Sequence, residues 1–270
     1  MNTLLLHAAP PAAPPLTFSP LEYTGERIVP GVTPEITFRE HQMRYAFAGR
    51  FVPGRVVLDI ASGSGMGTDY LSRAGALTCF GLDLNVSALR YASSRYLLPH
   101  LAACDANRIC LASRSVQVVV SFETIEHLAD PRHFLAECER VLRPGGLLIC
   151  STPNHAVSRW DQENPFHLGE MPIRDFSRRV NEVFEDCRLY GQSPLLYPLY
   201  VAEKKIIATL ETLHLKERIK RCLRGPTQPV CSEVEFDDRN RDERYAVRPG
   251  LPRWPRLARY AIVVARKKGR

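Results

Sequence analysis

Glu123, Glu126 and His127 form an E-x-x-E-H cluster in Ser121-Phe-Glu-Thr-Ile-Glu-His-Leu128, directly after an apolar run. On a helix, positions i, i+3 and i+4 share one face, so this spacing predicts that two carboxylates and an imidazole converge. Such a set suits a divalent cation that acidifies a bound hydroxyl. Without a metal, the same residues leave His127 as a base or an orienting group, or as a packed side chain. His155, which follows Ser151-Thr-Pro-Asn154, is a second candidate base, with a solvated loop histidine as the plainer reading.

A second group of residues is suited to binding rather than reacting. In Val56-Val-Leu-Asp-Ile-Ala-Ser-Gly-Ser-Gly-Met-Gly67, small residues follow a strand-like run and precede a helix-like one. Glycines there let the backbone approach a ligand, and a helix start offers free N–H groups. Asp59 precedes the glycines, Asp83 lies twenty residues beyond Gly63, and Asp105 follows a third short apolar run. An acidic side chain at the end of the second strand accepts hydrogen bonds from ribose hydroxyls. Gly63-x-Gly65-x-Gly67 lacks the third glycine of a dinucleotide fingerprint, and Asp59 would repel a pyrophosphate. Between a nicotinamide dinucleotide and S-adenosylmethionine, the pattern favours the cationic, phosphate-free cofactor.

These residues need a scaffold, and the chain supplies one. Strands are predicted at Arg55–Ile60, Thr78–Leu82, Ala102–Ala106, Val116–Ser121 and Leu147–Ser151. Helices are predicted between them at Thr68–Ala74, Ser87–Tyr96 (with Ser87 as N-cap) and Pro131–Leu142, after a first helix at Arg39–Phe51. Alternation at this spacing means βαβ units and a parallel sheet covered on both faces. Further on, Ile173–Phe184 reads as a helix, Arg188–Tyr190 as a strand start, Lys204–Leu223 as a basic amphipathic helix and Tyr260–Arg266 as a last strand.

At this point a resemblance emerges. Asp59-Ile-Ala-Ser-Gly-Ser-Gly65 resembles motif I of the class I S-adenosylmethionine-dependent methyltransferases. Gly81-Leu-Asp-Leu84 is similar to their ribose motif, Cys104-Asp-Ala106 to their adenine motif, and Arg140-Val-Leu-Arg-Pro-Gly-Gly-Leu147 to the turn before their fifth strand. The likeness spans about residues 40–155 in the family's order. It implies a Rossmann-like α/β fold: a doubly wound, seven-stranded, mostly parallel sheet with helices on both faces. The implied cofactor set is Asp59, Ala61, Gly63, Gly65, Asp83, Leu84, Asp105, Ala106 and Ser121. Ala61 departs from the family's usual glycine, and the expected result is a tighter turn with binding kept. E-x-x-E-H also resembles the metal site of ubiquinone-pathway O-methyltransferases and small-RNA 2′-O-methyltransferases. The latter implies His167 as a further ligand beside Glu123, Glu126 and His127, with a divalent cation such as Mg. Tyr23-Thr-Gly-Glu-Arg27 and the following residues resemble the opening of methyltransferases from bacterial glycan and natural-product pathways.

Composition bounds the rest. With 45% hydrophobic residues and 24% charged, the 270-residue chain can bury a large core, and no apolar run reaches membrane-spanning length. The net charge of +7 is uneven: residues 1–200 sum to −2 and residues 201–270 to +9. That split argues against a nucleic-acid partner and points to a basic, substrate-side segment. Eight cysteines without a C-x-x-C pair suit a reducing cytoplasm. The expected organisation is a disordered Pro-rich leader (1–20), a lid and helix (21–54), a cofactor-binding core (55–155), substrate-side loops, basic helix and mobile insertion (156–258), and a final strand with a basic tail (259–270). Trp160 and Phe166 are candidate acceptor-pocket residues, whereas Met171, Phe176 and Phe184 read as core. The expected function is O-methylation of a small-molecule, sugar or glycan hydroxyl. The alternatives are RNA 2′-O-methylation and a non-catalytic, cofactor-binding partner subunit.

Overall fold

A computed structural model describes residues 21–25, 27–158, 166–193, 245–249 and 258–269. The predicted leader, Trp160 and the basic helix over 204–223 lie outside the described residues, as does most of the predicted insertion.

Eight strands form one sheet: β1 (Val56–Ile60), β2 (Thr78–Asp83), β3 (Leu101–Ala103), β4 (Val116–Phe122), β5 (Leu142–Pro153), β6 (Glu185–Gln192), β7 (Arg248–Pro249) and β8 (Tyr260–Arg266). Their order is β3-β2-β1-β4-β5-β8-β6-β7. Strands β1 to β5 pair in parallel, while β8 runs antiparallel to both β5 and β6. The expected seven strands become eight because the two-residue β7 pairs with the end of β6.

Both faces of the sheet are covered, so its central strands are apolar on both sides. Val57, Val118, Val120, Ile149 and Ile262 pack toward helices α1 (Glu35–Ala48) and α2 (Met66–Arg73). Leu58, Val119, Leu148 and Val263 pack toward α4 (Pro131–Val141) and α6 (Ile173–Val183). Met171, Phe176 and Phe184 belong to that second core, as predicted from their spacing. Among the described residues the remaining α-helices are α3 (Val86–Arg95) and the single turn α5 (His155–Ser158).

Three local readings need correction. The N-cap of α3 is Asn85, whose side chain accepts the Ala88 N–H at 2.9 Å, rather than Ser87. Strand β3 stops at Ala103, and Asp105 instead caps a short 3-10 turn by accepting the Asn107 N–H at 2.8 Å. Most consequential for the site, E-x-x-E-H is not a helix. Glu123 has φ +54°, and only Ile125–His127 form a 3-10 turn, so the three side chains do not share a face.

Candidate functional site

The strand order reverses between β1 and β4, where ligands of open α/β sheets bind at the carboxyl ends of the strands. A cavity of about 490 Å³ occupies this position. Its walls come from the β1–α2 loop, the ends of β2 and β4, α1, and residues on both sides of α5.

At one end stands the glycine turn. Ala61, Gly63 and Gly65 have φ of +61°, +54° and +80°, a left-handed path that favours glycine. Ala61 holds this conformation despite its methyl group, which is why a glycine suits the position better. Added methyl groups would not fit at Gly65 or Gly67: Cβ atoms would lie 2.4 Å from Ala92 Cβ and 1.9 Å from the Tyr45 ring. The Asp83 carboxylate crosses to this loop, accepting the Gly63 N–H at 2.7 Å and the Asn85 N–H at 2.7 Å. Asp83, Leu84, Asp105 and Ala106 line the cavity together with Ala61 and Gly63.

Three predicted cofactor residues do not reach it. Asp59 is fully buried behind the glycine turn, where its oxygens accept the Tyr45 hydroxyl at 3.0 Å and the Thr68 hydroxyl at 2.7 Å. Burial pushes its carboxyl up to about 7, against the lowering effect of the Thr68 and Tyr45 hydrogen bonds. Asp59 therefore braces the turn through α1 and α2 rather than facing the cavity. Ser121 is likewise buried within β4, its hydroxyl lacking a hydrogen-bond partner among the described residues, and is not a wall residue. Gly65 borders α2 instead of the cavity.

The other end is polar. Ser151 donates to Glu123 Oε1 at 2.6 Å, and the fully buried Arg44 places Nε 4.0 Å from the same oxygen. Arg44 also lies 4.2 Å over the Tyr260 ring and donates to Gln192 Oε1 at 2.7 Å, tying α1 to β6 and β8. His41 lies in α1, lines the cavity and contacts Tyr45 and Phe122, and burial lowers its pKa well below the usual range, with Arg44 adding to the effect. Tyr23, Gly25 and Arg27 line the cavity.

Glu126 is wholly buried. It accepts the Thr152 hydroxyl at 3.1 Å through Oε2, while Oε1 has no hydrogen-bond partner among the described residues. Burial, reinforced by the neighbouring Glu123 carboxylate, holds its carboxyl well above the normal range. The His127 and His167 rings meet edge to face at 4.8 Å. Nδ1 of His127 lies 2.9 Å from the Phe166 carbonyl, and Nδ1 of His167 bonds Glu170. Ligand atoms of Glu126, His127 and His167 lie within 4.8 Å of one another. The structure thus brings together three of the four predicted metal ligands and leaves out Glu123. His155 is half exposed, with Nδ1 3.6 Å from Glu170, and does not line the cavity.

Tyr45, Thr68 and Glu170 escaped the sequence reading as site residues. Only Glu170 left a local trace, in the His167-x-x-Glu170 spacing. Its carboxyl feels burial upward, but the His167 and Ser158 hydrogen bonds prevail and hold it below the usual range.

Comparison with known proteins follows the same lines. The family described as Methyltransferase domain matches residues 58–150. A protein of Mycolicibacterium smegmatis named "Probable S-adenosylmethionine-dependent methyltransferase" is 38% identical over 157 residues, covering 57% of this chain and 61% of its own. A similarly named protein of Mycobacterium tuberculosis is 38% identical over 189 residues, covering 67% of this chain and 68% of its own. The chain thus spans about two thirds of the length of these relatives. A solved S-adenosylmethionine-dependent methyltransferase of Thermotoga maritima shares the fold with TM-score 0.57 at 13% identity, over 86% of this chain and 92% of that one.

Proposed function

The chain belongs to the class I S-adenosylmethionine-dependent methyltransferases, and from that premise we propose that it moves the sulfonium methyl group to a hydroxyl of a small molecule, sugar or glycan intermediate. The observation that carries this reading is a single cavity joining Asp83 and Asp105 at one end to Glu123, His127 and His167 at the other. Asp83 would hold the ribose hydroxyls, Ala106 and its neighbours the adenine, and the Ala61–Gly63 backbone the methionine portion. The methyl carbon would then face the polar end. Arginine, carboxylate and imidazole groups there suit an acceptor rich in hydroxyls.

In the reaction, the acceptor hydroxyl gives its proton to the His127 imidazole while its oxygen attacks the methyl carbon in line. When bound, S-adenosylmethionine would supply the methyl carbon and leave as the neutral thioether, the electron pair of the broken carbon–sulfur bond staying on sulfur. His155 lies off the cavity wall and has no part in this scheme.

Glu126, His127 and His167 fit a divalent cation. Among the described residues the buried Oε1 of Glu126 lacks a hydrogen-bond donor, and the Glu170 carboxylate backs His167 as such carboxylates back metal-ligating histidines. When bound, the cation would occupy the His127 nitrogen that otherwise takes the proton, and would supply Lewis-acid stabilisation of the acceptor alkoxide instead.

Calorimetry with S-adenosylmethionine tests the cofactor assignment: Asp83→Ala should weaken binding at least about tenfold, roughly 1.4 kcal/mol. Unchanged affinity would sink it. Transfer of labelled methyl to a panel of sugars and polyols tests the acceptor class, and competition by bulk RNA would redirect it to nucleic acid. Activity that is lost to a chelator, restored by Mg or Mn and lost in Glu126→Gln supports the metal. Full activity in excess chelator leaves His127 acting alone.

A further inference from the structure

A second cavity, of about 280 Å³, opens at the opposite end of the sheet. Strand β1 separates it from the first, a distance of roughly 16 Å at 3.3 Å per residue. Leu147, Val264 and Ala265 give it apolar surface, and Phe51 and Tyr190 add aromatic rings. Four arginines line it, namely Arg50, Arg55, Arg188 and Arg266, against the single carboxylate of Asp186.

The charges are poorly compensated. Arg266 lies 3.4 Å from Asp186, and Arg55 donates to the Phe51 carbonyl at 3.1 Å. Arg50 rests 6.0 Å over the Phe47 ring, and neither it nor Arg188 has an ion-pair partner among the described residues. A cavity with a formal excess of three positive charges gains most from a multiply charged anion. All four cations are arginine, whose planar fork meets two oxygens of one phosphate at once. The lining contains no histidine, cysteine, serine or threonine, so it is equipped for binding and not for reaction.

We propose that this cavity binds a small organic phosphate, its phosphoryl group on the arginines and its ring or apolar portion against Leu147, Val264 and Tyr190. The site is separate from the methyl-transfer cavity and does not rest on the reading of that cavity.

Phenyl phosphate is a suitable probe, titrated calorimetrically into the full chain at low salt with S-adenosylhomocysteine in excess. Saturable one-to-one binding is expected, at least about fivefold tighter than inorganic phosphate because the ring covers apolar surface. Arg50→Ser with Arg188→Ser should weaken it at least about tenfold, since each charge-assisted contact carries such a factor. Both side chains are exposed, so thermal unfolding should not change. No saturable heat up to millimolar phenyl phosphate, or equal binding by the double variant, overturns the proposal. So does binding that S-adenosylhomocysteine abolishes in the wild type but not when Asp83 is replaced, because the probe would then occupy the first cavity.

Discussion

Replacing Asp59 with asparagine should remove most of one titration from the folding stability of this protein. The carboxyl is fully buried and pushed up from 3.8 to about 7, chiefly by desolvation. Below the lower value both folded and unfolded chains hold the proton, and above the upper value both have lost it. Between them the folded state binds the proton that the unfolded state releases, so stability falls as pH rises. At 1.36 kcal/mol per unit, the whole shift corresponds to about 4 kcal/mol, and the interval from pH 5 to pH 7 alone to about 2 kcal/mol. Urea unfolding of the wild type and of Asp59→Asn at pH 5, 6 and 7 measures this directly. Glu40 and Glu126 also carry raised carboxyl pKa values, but they are present in both proteins and cancel in the difference. The wild-type advantage over Asp59→Asn should shrink by about 2 kcal/mol across that range. Parallel curves would mean that Asp59 is ionised throughout, and that the Tyr45 and Thr68 hydroxyls outweigh burial.

Three other substitutions probe the same architecture. Ala61→Gly relieves a side chain held at φ +61°, so stability should rise by roughly 0.5 to 1 kcal/mol after the entropy of the unfolded glycine is counted; a loss in thermal or urea unfolding would contradict the turn geometry. Gly67→Ala would drive a methyl group into the Tyr45 ring, costing about 2 kcal/mol or more and loosening the Tyr45 bond to Asp59; the change in unfolding midpoint reads it. Glu126→Gln substitutes a neutral amide for a carboxyl that burial pushes toward its neutral form, so it should alter stability by less than about 1 kcal/mol. A loss of several kcal/mol would show that Glu126 is buried as a charge.

The alternation of strands and helices was legible because its signals are local. Val56-Val-Leu58 and Val118-Val-Val120 are continuously apolar since both faces of the sheet are covered. The glycines of the β1–α2 loop and Asp83 twenty residues on could be read for the same reason: a turn and the end of a strand leave marks in a few neighbouring residues. The E-x-x-E-H spacing was misleading, because a single backbone rotation at Glu123 sends its side chain toward Ser151 while Glu126 turns inward to Thr152. Spacing implies a shared face only where the helix has formed.

By itself, then, the chain's sequence determined the α/β scaffold, the cavity end built on the glycine turn, and the neighbourhood of the E-x-x-E-H cluster. Tertiary structure alone decided which of those groups meet. Tyr45 reaches Asp59 from the preceding helix, Arg44 reaches Gln192 across 148 residues, and His167 joins His127 from beyond β5. It also drew Asp59 behind the cavity wall and excluded Glu123 from the candidate metal ligands. Such pairings depend on how strands distant in sequence are ordered in the sheet. Burial then sets the charge on each carboxyl, because the cost of desolvation depends on what packs around it and not on its neighbours in the chain.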